Sequence, residues 1–194
     1  MHTFVSLLRG INIGGHHLIR MPALKSLYES MGFADVATYI QSGNVVFTTA
    51  EEDASAIEHL IEKNLLTTFG FPVAVVVRTP SQMGKVIKAN PYTGRDGIDI
   101  NRLAVAFLKS RPTAALTRNL ATAAVKTTDE YLVAGNAVYL HCPNGFARTL
   151  LTSTFFEKHL KVGTTARNWK TIMALHAMCV TAMTQRSADL SSLH

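Results

Sequence analysis

The chain has 194 residues, 47% hydrophobic and 16% charged, a composition that predicts a globular fold and excludes intrinsic disorder over most of its length. The longest apolar stretch, 69–77, is too short to span a bilayer, and the amino terminus lacks a signal-peptide core. With only two cysteines, these features predict a cytoplasmic protein without a disulfide framework. The net charge of +6 favours anionic partners, but no run of like charges forms a basic arm.

The first part of the chain predicts one β-α-β-β-α-β unit, from alternating strand and helix patterns. Strands are predicted at 3–8, 36–41, 44–49 and 72–78, and helices at 22–31 and 54–69. The second helix is expected to face inward through Ile57, Leu60, Ile61 and Leu65. Ser42 and Gly43 are predicted to form a two-residue hairpin turn, because glycine adopts the positive φ that such turns require.

The rest of the chain predicts the same order of elements after a connecting helix at 81–88 and a loop. Strands are predicted at 103–108, 130–133, 137–142 and 164–166, and helices at 113–124 and 150–160. Asn168 is expected to cap a final helix, and residues after about Thr184 are polar and expected to fray. The predicted divisions are 1–79, a connecting segment 80–98, a second subdomain 99–184 and a tail 185–194.

An internal echo supports this duplication. Residues 39–47 (Tyr-Ile-Gln-Ser-Gly-Asn-Val-Val-Phe) resemble 131–139 (Tyr-Leu-Val-Ala-Gly-Asn-Ala-Val-Tyr), which indicates two copies of one strand-turn-strand. The predicted fold class is α+β: a tandem duplication of a ferredoxin-like unit with antiparallel sheets, plus a connecting helix and a C-terminal helix. The first copy has a longer connection between its first two strands, and most of the excess lies in 9–20.

The first candidate site is this glycine-rich connection, which joins a strand to a helix and is flanked by cations. Backbone amides at glycines and nearby cationic side chains are suited to phosphate or carboxylate. The hairpin turn is expected at the same end of the sheet. The predicted ligand-binding residues are Arg9, Gly10, Asn12, Gly14, Gly15, Gln41, Ser42 and Asn44. The alternative is a structural turn in which the glycines only permit a tight path.

Two other loops are weaker candidates. Cys142, five residues, Arg148 and Thr149 resemble the signature of Cys-dependent phosphatases, and the same loop could hold an anion through Asn144, Gly145, Arg148 and Thr149. The alternative is a loop and helix cap with a buried cysteine. The third candidate comprises Arg167, Asn168 and Trp169, which could grip a phosphate or stack on a base, or else serve as packing and a cap.

No cofactor fingerprint is present, and the residues His141, Cys142, His176 and Cys179 do not have a recognised metal-ligand spacing. We therefore assign neither a cofactor nor a metal, and no catalytic residue. Spacing alone does not establish whether the chain is an enzyme or what its oligomeric state is.

Four separated segments, 8–15, 39–47, 140–145 and 165–169, resemble the bacterial family called domain of unknown function 1697. The resemblance implies a cytoplasmic protein with two ferredoxin-like halves, and it implies no established activity. In the family pattern an apolar residue often stands at the position of Cys142, which disfavours a thiolate nucleophile there.

The leading hypothesis is therefore a protein that binds a phosphorylated or carboxylated small molecule, or a nucleotide, at 9–20. Single-stranded nucleic-acid binding on an exposed sheet face is the first alternative, as in other ferredoxin-like domains. Phosphatase chemistry through Cys142 is the second alternative.

Overall fold

Two apolar strands, β1 (His2–Leu8) and β5 (Leu103–Leu108), lie inside two separate four-stranded antiparallel sheets. All of β5, and all of β1 after His2, is buried. The computed structural model describes residues 1–122 and 127–191. It divides into two units: unit 1 comprises Met1–Lys85 and the chain from Met173 onward, and unit 2 comprises Val86–Ile172. No helix within the described residues is long and apolar enough to cross a membrane.

Unit 1 has the ferredoxin-like order. Its further elements are α1 (Met21–Ser30), β2 (Ala34–Tyr39), β3 (Asn44–Thr49), α2 (Ala54–Phe69), β4 (Val75–Arg78) and the start of α3 (Pro80–Lys88). The strands lie in the order β2-β3-β1-β4. One sheet face contributes Phe4, Leu8, Val45 and Phe47 to a core with α1 and α2. Within it the Tyr28 hydroxyl bonds Ser6 Oγ at 2.8 Å, and burial raises the pKa of Tyr28.

Unit 2 repeats the topology in the strand order β6-β7-β5-β8. Its further elements are a 3-10 turn (Ile100–Arg102), α4 (Ala114–Thr122), β6 (Glu130–Ala134), β7 (Ala137–His141), α5 (Ser153–Leu160) and β8 (Thr164–Asn168). The last helix, α6 (Trp169–Ser191), starts in unit 2 and belongs to unit 1 from Met173. The predicted tandem ferredoxin-like α+β fold with a C-terminal helix is confirmed.

Glutamates on the helices accept hydrogen bonds from backbone amides of the edge strands. On α2, Glu62 and Glu58 accept hydrogen bonds at 2.8 Å from the backbone amides of Val75 and Val77 in β4. In unit 2, Glu157 of α5 accepts at 3.0 Å from the amide of Thr164 in β8. These carboxylates occupy donors that an exposed edge would otherwise offer to another chain.

The first hairpin differs from the prediction. Tyr39 pairs with Asn44, so the turn contains four residues rather than two, whereas Ala134 pairs with Ala137 around a two-residue turn in unit 2. Because the turns differ in length, the similar sequences 39–47 and 131–139 do not align the structurally equivalent residues of β3 and β7. Val45 and Phe47 correspond in the core to Val138 and Leu140, one residue beyond the positions that the echo aligns.

Several boundaries also shift. Leu60 is 41% exposed rather than inward, while Ile57, Ile61 and Leu65 are buried as predicted. The strand predicted at 72–78 begins at Val75, opposite the last residue of β1, Leu8. The helix predicted from 150 begins at Ser153, because Thr152 caps it by accepting from the amide of Phe155.

At the chain end, α6 continues through 185–191, where a frayed tail was predicted. Residues 123–124 of the predicted helix 113–124 and residues 192–194 of the predicted tail lie outside the described residues.

Replacing Gly43 with alanine should destabilise unit 1 strongly. A Cβ at Gly43 would lie 2.7 Å from Leu8 Cβ and 2.8 Å from Ile11 Cδ1, and φ there is +73°. We expect a loss of about 2–4 kcal/mol in the free energy of unfolding, measured by urea denaturation. Gly32→Ala is the matched control, because its φ of +82° is similar but nothing lies within 4 Å, so we expect about 1 kcal/mol. Equal losses for the two variants would contradict the close approach.

Candidate functional site

The connection between β1 and α1, which we call the 9–20 loop, forms a small hairpin. Gly14 and Gly15 have φ of +60° and +79°, and the His16 amide donates to the Ile13 carbonyl at 3.1 Å. Positive φ at both central positions is characteristic of a type I′ turn, for which Gly-Gly is a favoured sequence. The turn therefore accounts for these two glycines without a ligand.

One side chain holds this hairpin in place. Asn12 Nδ2 donates to the carbonyls of Ile19 at 2.9 Å and Gln41 at 2.8 Å, and Asn12 Oδ1 accepts from the Ile19 amide at 2.8 Å. Asn12 has a φ of +56°, which asparagine adopts more readily than most residues. The side chain thus joins the 9–20 loop to the turn 40–43.

The joined segments form a cationic surface. Arg9, His16, His17 and Arg20 lie in the 9–20 loop, and neither this loop nor the turn 40–43 contains Asp or Glu. The His17 ring stacks on Phe71 with centroids 4.4 Å apart. We call this surface the cationic end of unit 1.

Apolar side chains are also exposed in these two segments. Ile13 and Leu18 are 66% and 68% exposed, and Ile40, beside Gln41, is 51% exposed. Ile40 has a φ of +48°, a strained conformation for a β-branched residue. Strain of this kind is concentrated at functional sites more often than elsewhere.

The predicted ligand-binding residues separate into two groups. Asn12 has both amide hydrogens and its oxygen engaged, and the buried Asn44 donates to the Tyr39 carbonyl at 3.0 Å and to Ser42 Oγ at 2.9 Å. These two asparagines have structural roles, and Ser42 is engaged with one of them. The predicted residues that are exposed are the glycines and Gln41, and Arg9 is partly buried. The glycines are Gly10, Gly14 and Gly15.

The second candidate loop is largely occupied by its own contacts. Asn144 Nδ2 donates to Thr128 Oγ1 at 2.9 Å, and the Gly145 amide donates to the Cys142 carbonyl at 2.9 Å. The Thr149 hydroxyl donates to Asp129 Oδ2 at 2.6 Å, which brings a carboxylate into the loop. Arg148 is exposed. This arrangement fits the loop-and-cap alternative, and the Asp129 carboxylate beside Thr149 disfavours an anion at this loop.

Cys142 lies in the wrong environment for a nucleophile. It is buried, and its sulfur lies 3.7 Å from Thr149 Oγ1. Burial raises the pKa of its thiol, the hydrogen bond with Thr149 lowers it, and the nearby Asp129 raises it further, so that the net pKa lies above its ordinary value. A reactive cysteine needs the opposite shift.

The third candidate is structural as well. Arg167 is buried, donating from Nη1 to Thr165 Oγ1 at 2.8 Å and to the Ala166 carbonyl at 2.9 Å, and burial lowers its pKa to about 10. Asn168 Oδ1 accepts from the Thr171 amide at 2.8 Å, the predicted cap, and Trp169 is buried. The indole is therefore not available for stacking.

Unit 2 contains a charged cluster that the sequence analysis missed. Glu130 accepts from Arg95 Nη1 at 2.7 Å through Oε2 and contacts His141 Nδ1 at 2.9 Å through Oε1. The hydrogen bond from Arg95, and then that from His141, lower the pKa of Glu130. The register of the two-residue turn could have indicated the pair of Glu130 with His141, which lie opposite each other. Arg95 comes from a loop that no local pattern places there.

Metal binding has no structural support in the described ranges. No group of three or more His, Cys, Asp or Glu side chains within residues 1–122 and 127–191 is arranged to hold a metal ion.

Comparison with known proteins identifies the family. A family model described as "Protein of unknown function (DUF1697)" matches residues 1–139. The chain belongs to the DUF1697 family. In this DUF1697 chain the matched residues include the 9–20 loop and the turn 40–43. The second and third candidate sites lie beyond the matched residues.

A solved structure of the same fold is similar to this DUF1697 chain. It is described as "The structure of conserved bacterial protein SP0830 from Streptococcus pneumoniae". The TM-score is 0.69 and the sequence identity is 19%, and the aligned region covers 92% of this chain and 98% of the S. pneumoniae chain. At this identity the likeness establishes the fold alone. No curated protein matches the sequence.

Both cysteines should resist thiol reagents in the native protein. Cys142 and Cys179 are buried, and burial raises the pKa of each, to about 12 for Cys179, so both remain protonated at about pH 8. We expect colorimetric disulfide reagents to label neither cysteine until denaturant is added, with Cys142→Ser used to assign any signal. Rapid labelling of native Cys142 would instead revive the nucleophile hypothesis.

Proposed function

We propose that this DUF1697 protein binds an anionic small molecule, most favourably a nucleotide, at the cationic end of unit 1, and that it does so in the cytoplasm. The observation that carries the proposal is the joining of the 9–20 loop to the turn 40–43 by Asn12. These hydrogen bonds close the 9–20 loop, which contains Arg9, His16, His17 and Arg20, and hold it beside a turn that has no carboxylate. An anion that arrives there meets charge that no acidic residue of these segments offsets.

The exposed apolar side chains favour a nucleotide over a simple anion. Ile13, Leu18 and Ile40 offer apolar contact for a base, while Arg9 and Arg20 are suited to phosphate oxygens. The adjacent Gly14 and Gly15 amides make no hydrogen bond to other described residues, and they supply further donors. The site needs no cofactor or metal for this role.

Two alternatives are weaker. Single-stranded nucleic acid would require paired exposed aromatics along the strands, yet Phe47 and Tyr139 are buried. Phosphatase chemistry would require a thiolate at Cys142, whose raised pKa disfavours it.

The test is a site-resolved titration of the full chain with ATP, AMP, inorganic pyrophosphate and adenosine, followed by amide chemical shifts in NMR. We expect the Gly14 and Gly15 amides to shift with the phosphorylated probes, and affinity to fall as salt rises. Arg20→Gln should weaken ATP binding about fivefold, since an exposed charge-assisted contact contributes about 1 kcal/mol.

Lys63→Gln is the matched control, because Lys63 is an exposed cation on α2, away from both segments in sequence. It should leave the affinity unchanged. An absence of shifts in the 9–20 loop at millimolar ATP, or equal weakening by the two variants, would refute the proposal. Affinity that rises with oligonucleotide length, with shifts along the strands, would support the nucleic-acid alternative instead.

A further inference from the structure

Unit 1 contains a cavity of about 570 Å³ on the sheet face opposite α1 and α2. Ala37 of β2 and Val46 of β3 line it from the sheet, and Ala177, Met178 and Ala182 of α6 line it from the helix. Its volume lies within the range of ordinary small-molecule sites, and its lining is mainly apolar, as in such sites. It shares no residue with the 9–20 loop, so the inference does not rest on the proposed function.

The cavity has one unusual polar residue, Asp35. Its φ is +51°, and it lies where the register between β2 and β3 shifts, between Ala34 and Ala37. Irregularities of this kind re-aim a side chain, and they are over-represented at sheet edges, where β2 lies, and next to active sites. Asp35 Oδ2 accepts from Thr48 Oγ1 at 3.0 Å. Asp35 Oδ1 has no hydrogen-bond partner among the described residues.

The cation at the cavity, Arg186, forms hydrogen bonds with other residues of the protein. It donates to the carbonyls of Met1 at 3.3 Å and Ala182 at 3.5 Å and to Thr3 Oγ1, while its Nε lies 3.9 Å from Asp35 Oδ2. It forms an ion pair with Asp35 Oδ2, and each of the three nitrogens of its guanidinium donates to a protein oxygen. The Asp35 Oδ1 atom is a charged acceptor at the cavity edge that no described residue engages.

We propose that this cavity binds a small organic amine with an apolar body, whose ammonium group donates to Asp35 Oδ1. The apolar body lies against Ala37, Val46 and α6. Thr181 and Gln185, which line the same cavity, offer further hydrogen bonds to the amine. A carboxylate ligand is rejected, because it would face the Asp35 oxygen.

Three probes of nearly equal size distinguish these chemistries: phenethylamine, 2-phenylethanol and 3-phenylpropanoate. In amide NMR titrations of the full chain we expect phenethylamine to shift cavity residues most strongly, the alcohol to bind about tenfold more weakly, and the carboxylate not to bind. Asp35→Asn should weaken phenethylamine at least fivefold, since asparagine tolerates the positive φ and retains an acceptor for Thr48.

Ala177→Leu should abolish binding of all probes by filling the cavity. Ala115→Leu, on an exposed face of α4 in unit 2, is the matched control and should bind as the parent does. Thermal melting of each variant confirms folding. No shift at cavity residues with any probe at millimolar concentration, equal binding of the carboxylate, or an unchanged affinity in Asp35→Asn would each overturn the proposal, and the first would mark the cavity as a packing gap beside α6.

Discussion

The geometry of the cationic end depends on the Asn12 side chain. Its two donors and one acceptor are all engaged, and they fix Ile19 within the loop and Gln41 in the neighbouring turn. The same residue adopts the positive φ that bends the chain. Because folding already orders the loop, a ligand that binds there does not have to order it, and preorganisation of this kind favours affinity.

The two units share a set of backbone constraints, and the 9–20 loop lies outside that set. The Leu8 amide donates to the Gly43 carbonyl, and the Leu108 amide donates to Asn136 at the matching point of unit 2. Glutamates on the second helix of each unit bond the outer edge strand. Since unit 2 reaches the same topology with a short 109–113 connection, the longer loop of unit 1 is not required by the fold.

Local signals predicted well, and long-range pairing did not. The bounds of β3, α2 and β5 agree with the predicted ranges because their hydrophobic patterns lie within each element. The predicted length of the first hairpin turn was wrong, because pairing across the strands decides that length. The glycines of the 9–20 loop were predicted to serve a ligand, and that prediction is untested; the type I′ turn by itself already calls for glycine at positions 14 and 15. Asp35 and Arg186 meet only because α6 returns to unit 1, which no local pattern encodes.

Amide hydrogen exchange in Asn12→Ala tests most directly whether this side chain holds the loop in place. The residue 12 amide donates to His17 and the His16 amide to Ile13, so both report loop order without bonding the Asn12 side chain. We expect exchange at both amides to be at least about tenfold faster in Asn12→Ala, with β1 unchanged. Asn12→Asp, which keeps the acceptor for Ile19, should lie between. Exchange equal to that of the parent in Asn12→Ala would contradict the central role of this cross-link.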